Sequence, residues 1–468
     1  MTAVTAPRLP RPRLRRMRPV LVVAAAIAVV AGSYVATGMR PAAVPDLAPQ
    51  VVAPVQPQLS APGDAPAAGL AGIAAIDHAL KAWTANLARN GKDFLSATYI
   101  ATLYDARGRL TGDIGDYGRA QTAIGQALAV VPDYATAQVL QARLLQTLHD
   151  FPGALAAAQA ILEKDPTVLQ ATATVGDAQL ELGGVKASAA AYTALEADAP
   201  GPAVTARLSR LAFIRGDTAS AVLLAERAWT EATAAGQTGA SLGWYAYGAG
   251  MVASNTGSPD TAATWFDRAL AVWPDSFLAI AGKARVEAAL GRTDDAIATY
   301  QRAIAIAPQP DLLTALGDLY ALRGDAKLAA EQYATVEAIG HLAALNQQVY
   351  NRQLVLFSVN HGRDTSDALR LAEQELAVRK DVYGQDAYAW ALLANDRAAD
   401  ADTAMTTALA FGTRDALLLY HAGEIARALG QTAKARELLG RALAIRGALD
   451  PLAASKAAAS LAALGVAP

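Results

Sequence analysis

Small, large apolar and polar residues recur along most of this chain with a period of about 34 residues. Between residues 101 and 343 most periods carry a small residue, then an alanine, a large apolar residue, another small residue and a proline. Apolar positions three or four residues apart indicate one face of an α-helix, so the pattern predicts repeated helix pairs. The clearest two periods carry Gly250, Ala262, Phe266, Ala269 and Pro274, then Ala284, Ala296, Tyr300, Ala303 and Pro308.

Proline marks the end of each predicted pair. Pro132, Pro166 and Pro200 follow one another at the spacing of this period, and so do Pro274 and Pro308. Proline lacks an N–H group and clashes with the preceding turn, so it ends the second helix of a pair. Gly-Asp dipeptides such as Gly216-Asp217 predict the turn inside a pair, with the aspartate capping the next helix.

These residues resemble the tetratricopeptide repeat pattern, W-x2-L-G-x2-Y…A-x3-F…P, over about residues 72 to 450. The resemblance implies an all-α fold, a right-handed α-solenoid of about nine to ten helix-turn-helix repeats. We predict a solenoid at 71–450 and a C-terminal capping helix and tail at 451–468. The chain is also similar to exported bacterial proteins of this family that have no assigned activity.

The N-terminus has the features of an export signal. We predict a basic cytoplasmic tail at 1–19, an apolar signal peptide or membrane anchor helix at 20–37, and a proline- and alanine-rich linker at 38–70. The apolar run of 18 residues is close to the minimum for crossing a bilayer, so a cleaved signal and a retained anchor both remain open. The body is then expected outside the cytoplasm, and the alanine content and signal type suggest a bacterial source.

Composition narrows the partner classes. Hydrophobic residues make up 53% of the chain and aromatic residues only 6%, which favours closely packed helices rich in alanine. The first forty residues hold seven arginines and no acid, so the remainder carries 33 basic against 42 acidic side chains. An acidic body is a poor match for phosphate backbones, and we expect no nucleic-acid partner. The absence of cysteine excludes disulfides and thiolate chemistry.

No constellation of catalytic or metal-binding residues stands out. The five histidines (His78, His149, His341, His361 and His421) are scattered, without a pair three or four residues apart. The glycine-rich segment at 248–253 falls inside a predicted helix, where a dinucleotide-binding loop has no place. We expect no enzyme, no cofactor and no metal. We expect surface or capping roles for His149 and His361 and a core or hydrogen-bonded role for His421.

The tetratricopeptide resemblance implies that the first helix of each repeat lines a concave groove. Mapping its inward positions onto this sequence predicts a partner-binding surface with arginine, acidic, amide and tyrosine side chains. The predicted residues are Asp105, Arg109, Arg143, Gln146, Asp177, Glu181, Arg210, Tyr247, Asn255, Arg285, Asp318, Tyr420, Glu424 and Arg427. Their alternative role is that of ordinary polar helix faces.

Three functional hypotheses follow from these features. The leading one is a membrane-tethered or secreted scaffold that binds a protein or peptide in its groove outside the cytoplasm. The second is a self-assembling structural component of the cell envelope. The third is an enzyme with an unfamiliar site at 341–415, where the period becomes irregular. The sequence does not identify the partner or the oligomeric state.

Overall fold

The computed structural model describes residues 72–345 and 351–465, without the side chains of 343–345 and 351. The predicted basic tail, signal or anchor helix and linker lie outside these residues. Within the described residues there are 22 α-helices and no strands. None of these helices combines the length and apolarity that crossing a membrane requires.

Ten helix pairs follow one another along the described chain, with one single helix before them and one after. We number the pairs 1 to 10, so that pair 1 is α2 with α3 and pair 10 is α20 with α21. The helices are α1 (Gly72–Arg89), α2 (Phe94–Thr111), α3 (Ile114–Val130), α4 (Ala135–Thr147), α5 (Phe151–Lys164), α6 (Leu169–Glu181), α7 (Val185–Asp198), α8 (Pro202–Ile214), α9 (Thr218–Ala234), α10 (Gly239–Asn255), α11 (Pro259–Val272), α12 (Phe277–Ala289), α13 (Thr293–Ile306), α14 (Pro310–Arg323), α15 (Ala326–Leu345), α16 (Asn351–Asn360), α17 (Thr365–Val378), α18 (Val382–Leu393), α19 (Ala398–Leu409), α20 (Ala416–Ala428), α21 (Thr432–Ala444) and α22 (Pro451–Ala463).

The periodic prolines and glycines have the positions that the sequence predicts. Pro132, Pro166 and Pro274 each stand two residues beyond the last residue of an odd-numbered helix. Asp217 caps α9, its side chain accepting a hydrogen bond from the Ser220 amide at 3.1 Å. Left-handed Gly216 (φ 74°) precedes it, because the backbone there adopts a conformation that glycine tolerates best.

Even-numbered helices form the inner layer of the solenoid and odd-numbered helices the outer layer. Ten residues of α2 and ten of α20 are buried, against five of α3 and four of α21. An inner helix packs on its own partner and on both neighbouring pairs, whereas an outer helix leaves one side to solvent. The predicted groove positions therefore lie on the more enclosed layer.

Successive turns of this solenoid pack against each other. One apolar cluster combines residues of α6 to α8, such as Leu180 and Tyr192, with residues of α18 to α22, such as Leu392 and Leu439. Backbone contacts join the same regions, because Gly183 lies against the Lys380 carbonyl and Gly216 against the Gly412 carbonyl. In both contacts the short turn inside one pair meets the connection that follows the fifth pair further on.

Candidate partner-binding surface

Aspartates, three of them buried, link consecutive inner helices. Asp105 on α2 binds Arg143 on α4, and Asp177 on α6 binds the Arg207 guanidinium of α8, with its Nε 2.9 Å from Oδ1. In the later pairs the cation is replaced by histidine. Asp318 on α14 meets Nε2 of His361 at 2.7 Å, and Asp386 on α18 meets Nδ1 of His421 at 2.8 Å. These contacts fix the rotation of one inner helix against the next.

Two of these aspartates belong to a repeated arrangement of glycine, aspartate and tyrosine. Tyr192 donates its hydroxyl hydrogen bond to Asp177 at 2.7 Å, and Tyr333 donates to Asp318 at the same distance. In each case the residue before the aspartate is a glycine whose missing side chain leaves room for the tyrosine ring. The outer helix of a pair thereby orients a carboxylate on the inner helix, which then holds the neighbouring pair.

The predicted groove residues separate into two groups. Seven are buried within the protein, namely Asp105, Arg143, Gln146, Asp177, Glu181, Tyr420 and Glu424. The other seven keep some contact with solvent, namely Arg109, Arg210, Tyr247, Asn255, Arg285, Asp318 and Arg427. Several buried members hold neighbouring helices together, and a direct contact with a partner is open chiefly to the second group. Partner binding by these residues remains a prediction.

A cluster of six charged side chains joins two turns of the solenoid; we call it the inter-turn cluster. Glu181 of α6 accepts from Arg210 at 2.5 Å and lies 2.6 Å from Arg379, which follows α17. Longer ion pairs of 3.6 to 3.8 Å complete it. Its members are Glu181, Arg210, Arg352, Glu375, Arg379 and Asp381.

Backbone contacts reinforce the inter-turn cluster. The Lys380 amide donates a hydrogen bond of 2.8 Å to the Glu181 carbonyl across the two turns. The Arg379 guanidinium also lies over the Phe151 ring, 5.4 Å from its centroid. Since Phe151 opens α5, this cation–π contact brings pair 2 into the junction as well.

Dense surroundings shift the pKa values at this junction. Burial alone would raise the pKa of Glu181, but Arg210, Arg379 and Arg352 outweigh it and hold the pKa at about 2. Burial lowers the pKa of His149 to about 4, and the nearby Arg379 charge adds to that effect. Burial raises the pKa of Glu375. At neutral pH the Glu181 carboxylate is therefore charged and His149 is neutral.

A second polar group lies further along the solenoid and is partly exposed to solvent. Arg285 of α12 interacts with Tyr247, Tyr300 and two carboxylates, Asp311 at the start of α14 and Asp450 before α22. Both carboxylates are exposed to solvent, yet the dense protein around them restricts their hydration and raises their pKa values. Burial likewise raises the pKa of Tyr300 to about 12. We call these five residues the Arg285 group.

An apolar cavity of about 200 Å³ lies between the end of α12 and the segment from α21 to α22. Its walls are almost wholly aliphatic, and Leu449 and Pro451 place it beside Asp450. It is smaller than most pockets that enclose drug-sized ligands. The lining residues are Ala288, Ala289, Gly291, Ala442, Leu443, Ile445, Gly447, Leu449, Pro451 and Ala454.

Several residues of these sites were not anticipated from the sequence. The role of Arg207 depends on a contact between neighbouring pairs. The remaining residues act in the contact between solenoid turns, namely Arg352, Glu375, Arg379 and Asp381. Only the spacing of Glu375 and Arg379, four residues apart at one helix end, was a local signal. Among the described residues no group of three or more histidine, aspartate or glutamate side chains is placed to hold a metal ion.

The histidines follow the sequence analysis in part. His421 is fully buried and stacks on the Trp390 ring at 4.0 Å, which fits the expected core role. His149 has a left-handed backbone (φ 62°) after α4 and stacks on Phe151. His361 donates its Nδ1 hydrogen to the Phe357 carbonyl, and its Nε2 lies 2.7 Å from Asp318, so it links two pairs rather than only capping a helix. Each of the two histidine links between inner helices thus has one end in the irregular 341–415 region, at His361 and at Asp386.

Comparison with known proteins agrees with this architecture. Residues 106–168 and 247–311, about a quarter of the chain, match the family model of the tetratricopeptide repeat. The chain is a tetratricopeptide repeat protein. As a member of this family, it has the fold of a protein-binding repeat protein. None of the curated proteins matches it.

Solved structures of similar fold are distant from this tetratricopeptide repeat protein. The human IFIT1 dimer with PPP-AAAA is 17% identical, with a TM-score of 0.44, over 80% of this chain and 87% of its own. A tetratricopeptide repeat protein from Parabacteroides merdae ATCC 43184 is 15% identical, with a TM-score of 0.32, over 56% of this chain and 98% of its own. Similarity at this level carries no conclusion about ligands or function.

Proposed function

We propose that this tetratricopeptide repeat protein is an extracytoplasmic scaffold, tethered by its N-terminal segment, that binds a protein or peptide along its inner layer. The Arg285 group is the observation that carries the proposal. It brings Arg285, Tyr247 and two solvent-exposed carboxylates from both turns of the solenoid around the buried Tyr300. Catalysis lies outside the proposal because the fold is typical of binding scaffolds.

The chemistry of the Arg285 group fits an extended peptide that carries charges of both signs. Arg285 offers a guanidinium to a peptide carboxylate or backbone carbonyl, and Asp311 and Asp450 offer acceptors to a basic side chain. Tyr247 supplies a flat surface with a polar end. Restricted hydration strengthens such contacts relative to the open protein surface. Nucleic acid is not proposed, since residues 41–468 carry more acidic than basic side chains.

Site-specific photo-crosslinking of the full chain in its native cells tests the inner layer. A photo-reactive residue replaces Tyr247 in one variant and Leu223, which is 67% exposed on outer helix α9, in the other. We expect an adduct with a specific protein from position 247 and none from position 223. Arg285→Glu should reduce that adduct, whereas Arg302→Glu on outer helix α13 should not. Equal adducts from both positions, or none from position 247, would contradict the proposal.

The proposed location has its own test, because the chain contains no cysteine. Its support is the arginine-rich segment and apolar run before residue 38. Glu226→Cys places one thiol on exposed outer helix α9. A membrane-impermeant maleimide should label this variant in cells whose cytoplasmic membrane is intact. Labelling only after lysis would place the body in the cytoplasm and refute the tethered extracytoplasmic scaffold.

A further inference from the structure

The contact between successive solenoid turns is a repeated structural unit. The short turn of pair 3 at Gly183 meets Lys380, and that of pair 4 at Gly216 meets Gly412. The short turn of pair 5 at Gly257 meets Arg446, whose guanidinium also binds Asp260 at 3.0 Å. In each case the partner segment is the connection that follows the fifth pair further on. The rule is thus the same for three consecutive pairs.

By this rule the short turns of pairs 7 to 10 meet no later connection of the same chain; we call these turns the upper rim. The turn of pair 8 is contacted by α22, where the Lys456 ammonium donates to the Asn360 carbonyl at 2.9 Å. A side-chain atom added to Gly324, Gly362 or Gly430 would find no other heavy atom within 4 Å. Leu322 and Leu328 on the upper rim are 46% and 37% exposed, although both are large and apolar. An exposed apolar pair beside backbone turns is suited to further protein contacts.

The opposite end of the described solenoid has the complementary feature. The connections that follow α3 and α5, which we call the lower rim, are of the same kind as the segments that receive short turns within the chain. Asp133 and Asp165 stand in these two connections and are exposed. The upper rim presents Arg323 and Arg363, which within their own chain pair with Asp294 and Asp325 and with Glu337, respectively. Both arginine side chains stay partly exposed, at 38% and 40%.

The terminal helices of the described solenoid also belong to complementary layers, so that two copies could join them into a helix pair. The described chain begins with α1, an outer-layer helix by its place in the alternation, and ends with α22, an inner-layer helix. If α1 of a second copy packs beside α22, these two helices make an eleventh pair. Pair 1 of the second copy is then the twelfth. By the spacing rule, the short turn of pair 7 then meets the connection holding Asp133, and that of pair 8 meets the connection holding Asp165.

We propose that this protein self-associates head to tail, the lower rim of one copy seated on the upper rim of the next. The register brings Arg323 towards Asp133 and Arg363 towards Asp165 of the second copy, an arrangement like the Arg446–Asp260 pair within the chain. Such a contact is heterologous, so each copy keeps one free end and the assembly can grow. This goes beyond the proposed scaffold function and does not depend on it.

Engineered thiols test the register directly, since the natural chain has no cysteine. Ala326→Cys lies on the upper rim and exposed Ala135→Cys beside the lower rim. With a bismaleimide, the full-length double variant should form a ladder of covalent oligomers in native membranes and in detergent. Each single variant should stay monomeric, and a mixture of the two should stop at a dimer. Monomers alone from the double variant, or dimers from either single variant, would overturn the proposal.

Charge-reversal variants distinguish the loss of this contact between copies from misfolding of the chain. In the double-cysteine background, Arg323→Glu with Arg363→Glu should reduce the ladder about tenfold through like-charge repulsion. Asp133→Lys with Asp165→Lys should do the same, and all four changes together should restore the ladder. Arg302→Glu with Arg370→Glu, on outer helices α13 and α17, is the matched control and should leave it unchanged. If the four-fold variant stays monomeric while the control assembles, the proposed charge register is wrong.

Discussion

In several pairs a glycine on the inner helix makes room for a large side chain of the outer helix, sixteen residues later. A methyl group on Gly176, Gly250 or Gly317 would lie 2.4 to 2.7 Å from a ring atom of the facing tyrosine or phenylalanine. In the last pair Leu439 takes the place of the ring, opposite Gly423. The helices of a pair cross closely because one residue lacks a side chain and the other fills the space.

Gly250→Ala should destabilise the protein by about 1 to 3 kcal/mol, because the facing Phe266 ring is fully buried and cannot move aside. Gly248→Ala is the matched control on the same helix, since its added methyl group meets nothing within 4 Å. That variant should be more stable by about 0.5 to 1 kcal/mol through helix propensity. Urea unfolding of both variants measures the difference, and equal effects would show that the close crossing is unimportant.

Helix ends are determined by short local signals at the scale of single elements. Asp93, Asp150, Asp217 and Asp450 each accept a hydrogen bond from an amide in the first turn of the helix that follows. Left-handed glycines end several inner helices, and prolines follow several outer ones. Because these signals act within four or five residues, the sequence predicts the boundaries well.

Two substitutions at Asp450 distinguish its role as a helix cap from the role of its charge. Its side chain accepts from the Ala453 amide at 2.8 Å, and it also faces Arg285. Asp450→Asn should keep the cap, whereas Asp450→Ala should cost about 1 kcal/mol and fray α22. Hydrogen exchange of residues 451–463 measures fraying. Faster exchange in the asparagine variant as well would mean that the carboxylate charge, not the cap, holds α22.

The contact between turns dominates at the scale of the whole described solenoid. Repeat arrays commonly gain stability from neighbouring repeats alone. Here the apolar cluster that includes Leu180, Tyr192 and Leu439 joins pairs that are far apart in the chain. The inter-turn cluster adds charged contacts at the same junction. Local changes in one turn should therefore affect the turn stacked on it.

Gly216→Ala tests this coupling. An added methyl group would lie 2.0 Å from the Gly412 carbonyl oxygen of the other turn, which is backbone and cannot rotate away. Gly324→Ala is the control, with the same left-handed conformation and nothing within 4 Å. Both lose about 1 to 2 kcal/mol to backbone strain. Only Gly216→Ala should lower the free energy of unfolding by a further amount of about 1 to 3 kcal/mol. It should also speed hydrogen exchange around residue 412. Identical behaviour would contradict turn-to-turn packing there.

Acidification should weaken the junction formed by the inter-turn cluster. His149 determines the loss of stability in the upper part of the acidic range, between pH 6.5 and 4. Its pKa of about 4 in the folded protein lies below the ordinary 6.5, so the unfolded chain takes up a proton first. The stability that His149 contributes is complete above pH 6.5 and is lost as the pH falls towards 4. Glu181, with a pKa of about 2 against 4.5, loses its contribution between pH 4.5 and 2.

His149→Asn isolates the first step, because asparagine tolerates the left-handed backbone and does not titrate there. The free energy of unfolding should fall by roughly 1 to 2 kcal/mol less in this variant than in the wild type between pH 6.5 and 4. Comparing the two proteins removes the opposite contribution of Glu375, Asp311 and Asp450, whose pKa values are raised. Parallel pH profiles would show that His149 is not desolvated.

The sequence by itself determined the repeat, its period and most helix ends. Gly250 with Phe266, and the prolines after the outer helices, act within one period, so the repeat pattern records them. It also indicated which helix of each pair is the inner one. Arg285 and Tyr247, two of the predicted groove residues, lie on inner helices and keep some contact with solvent, and their binding role stays a prediction.

Only the tertiary structure decided which inward residues bind each other and which remain accessible. Asp177 and Arg207 form a buried pair, and Glu181 meets Arg379, which lies several repeats further along the chain. The distance in sequence between two such contacting residues depends on how many pairs make one turn of the solenoid. The number of pairs per turn results from the small rotations between all neighbouring pairs. A single repeat period does not contain this information, so the repeat pattern predicted neither the inter-turn cluster nor the upper rim.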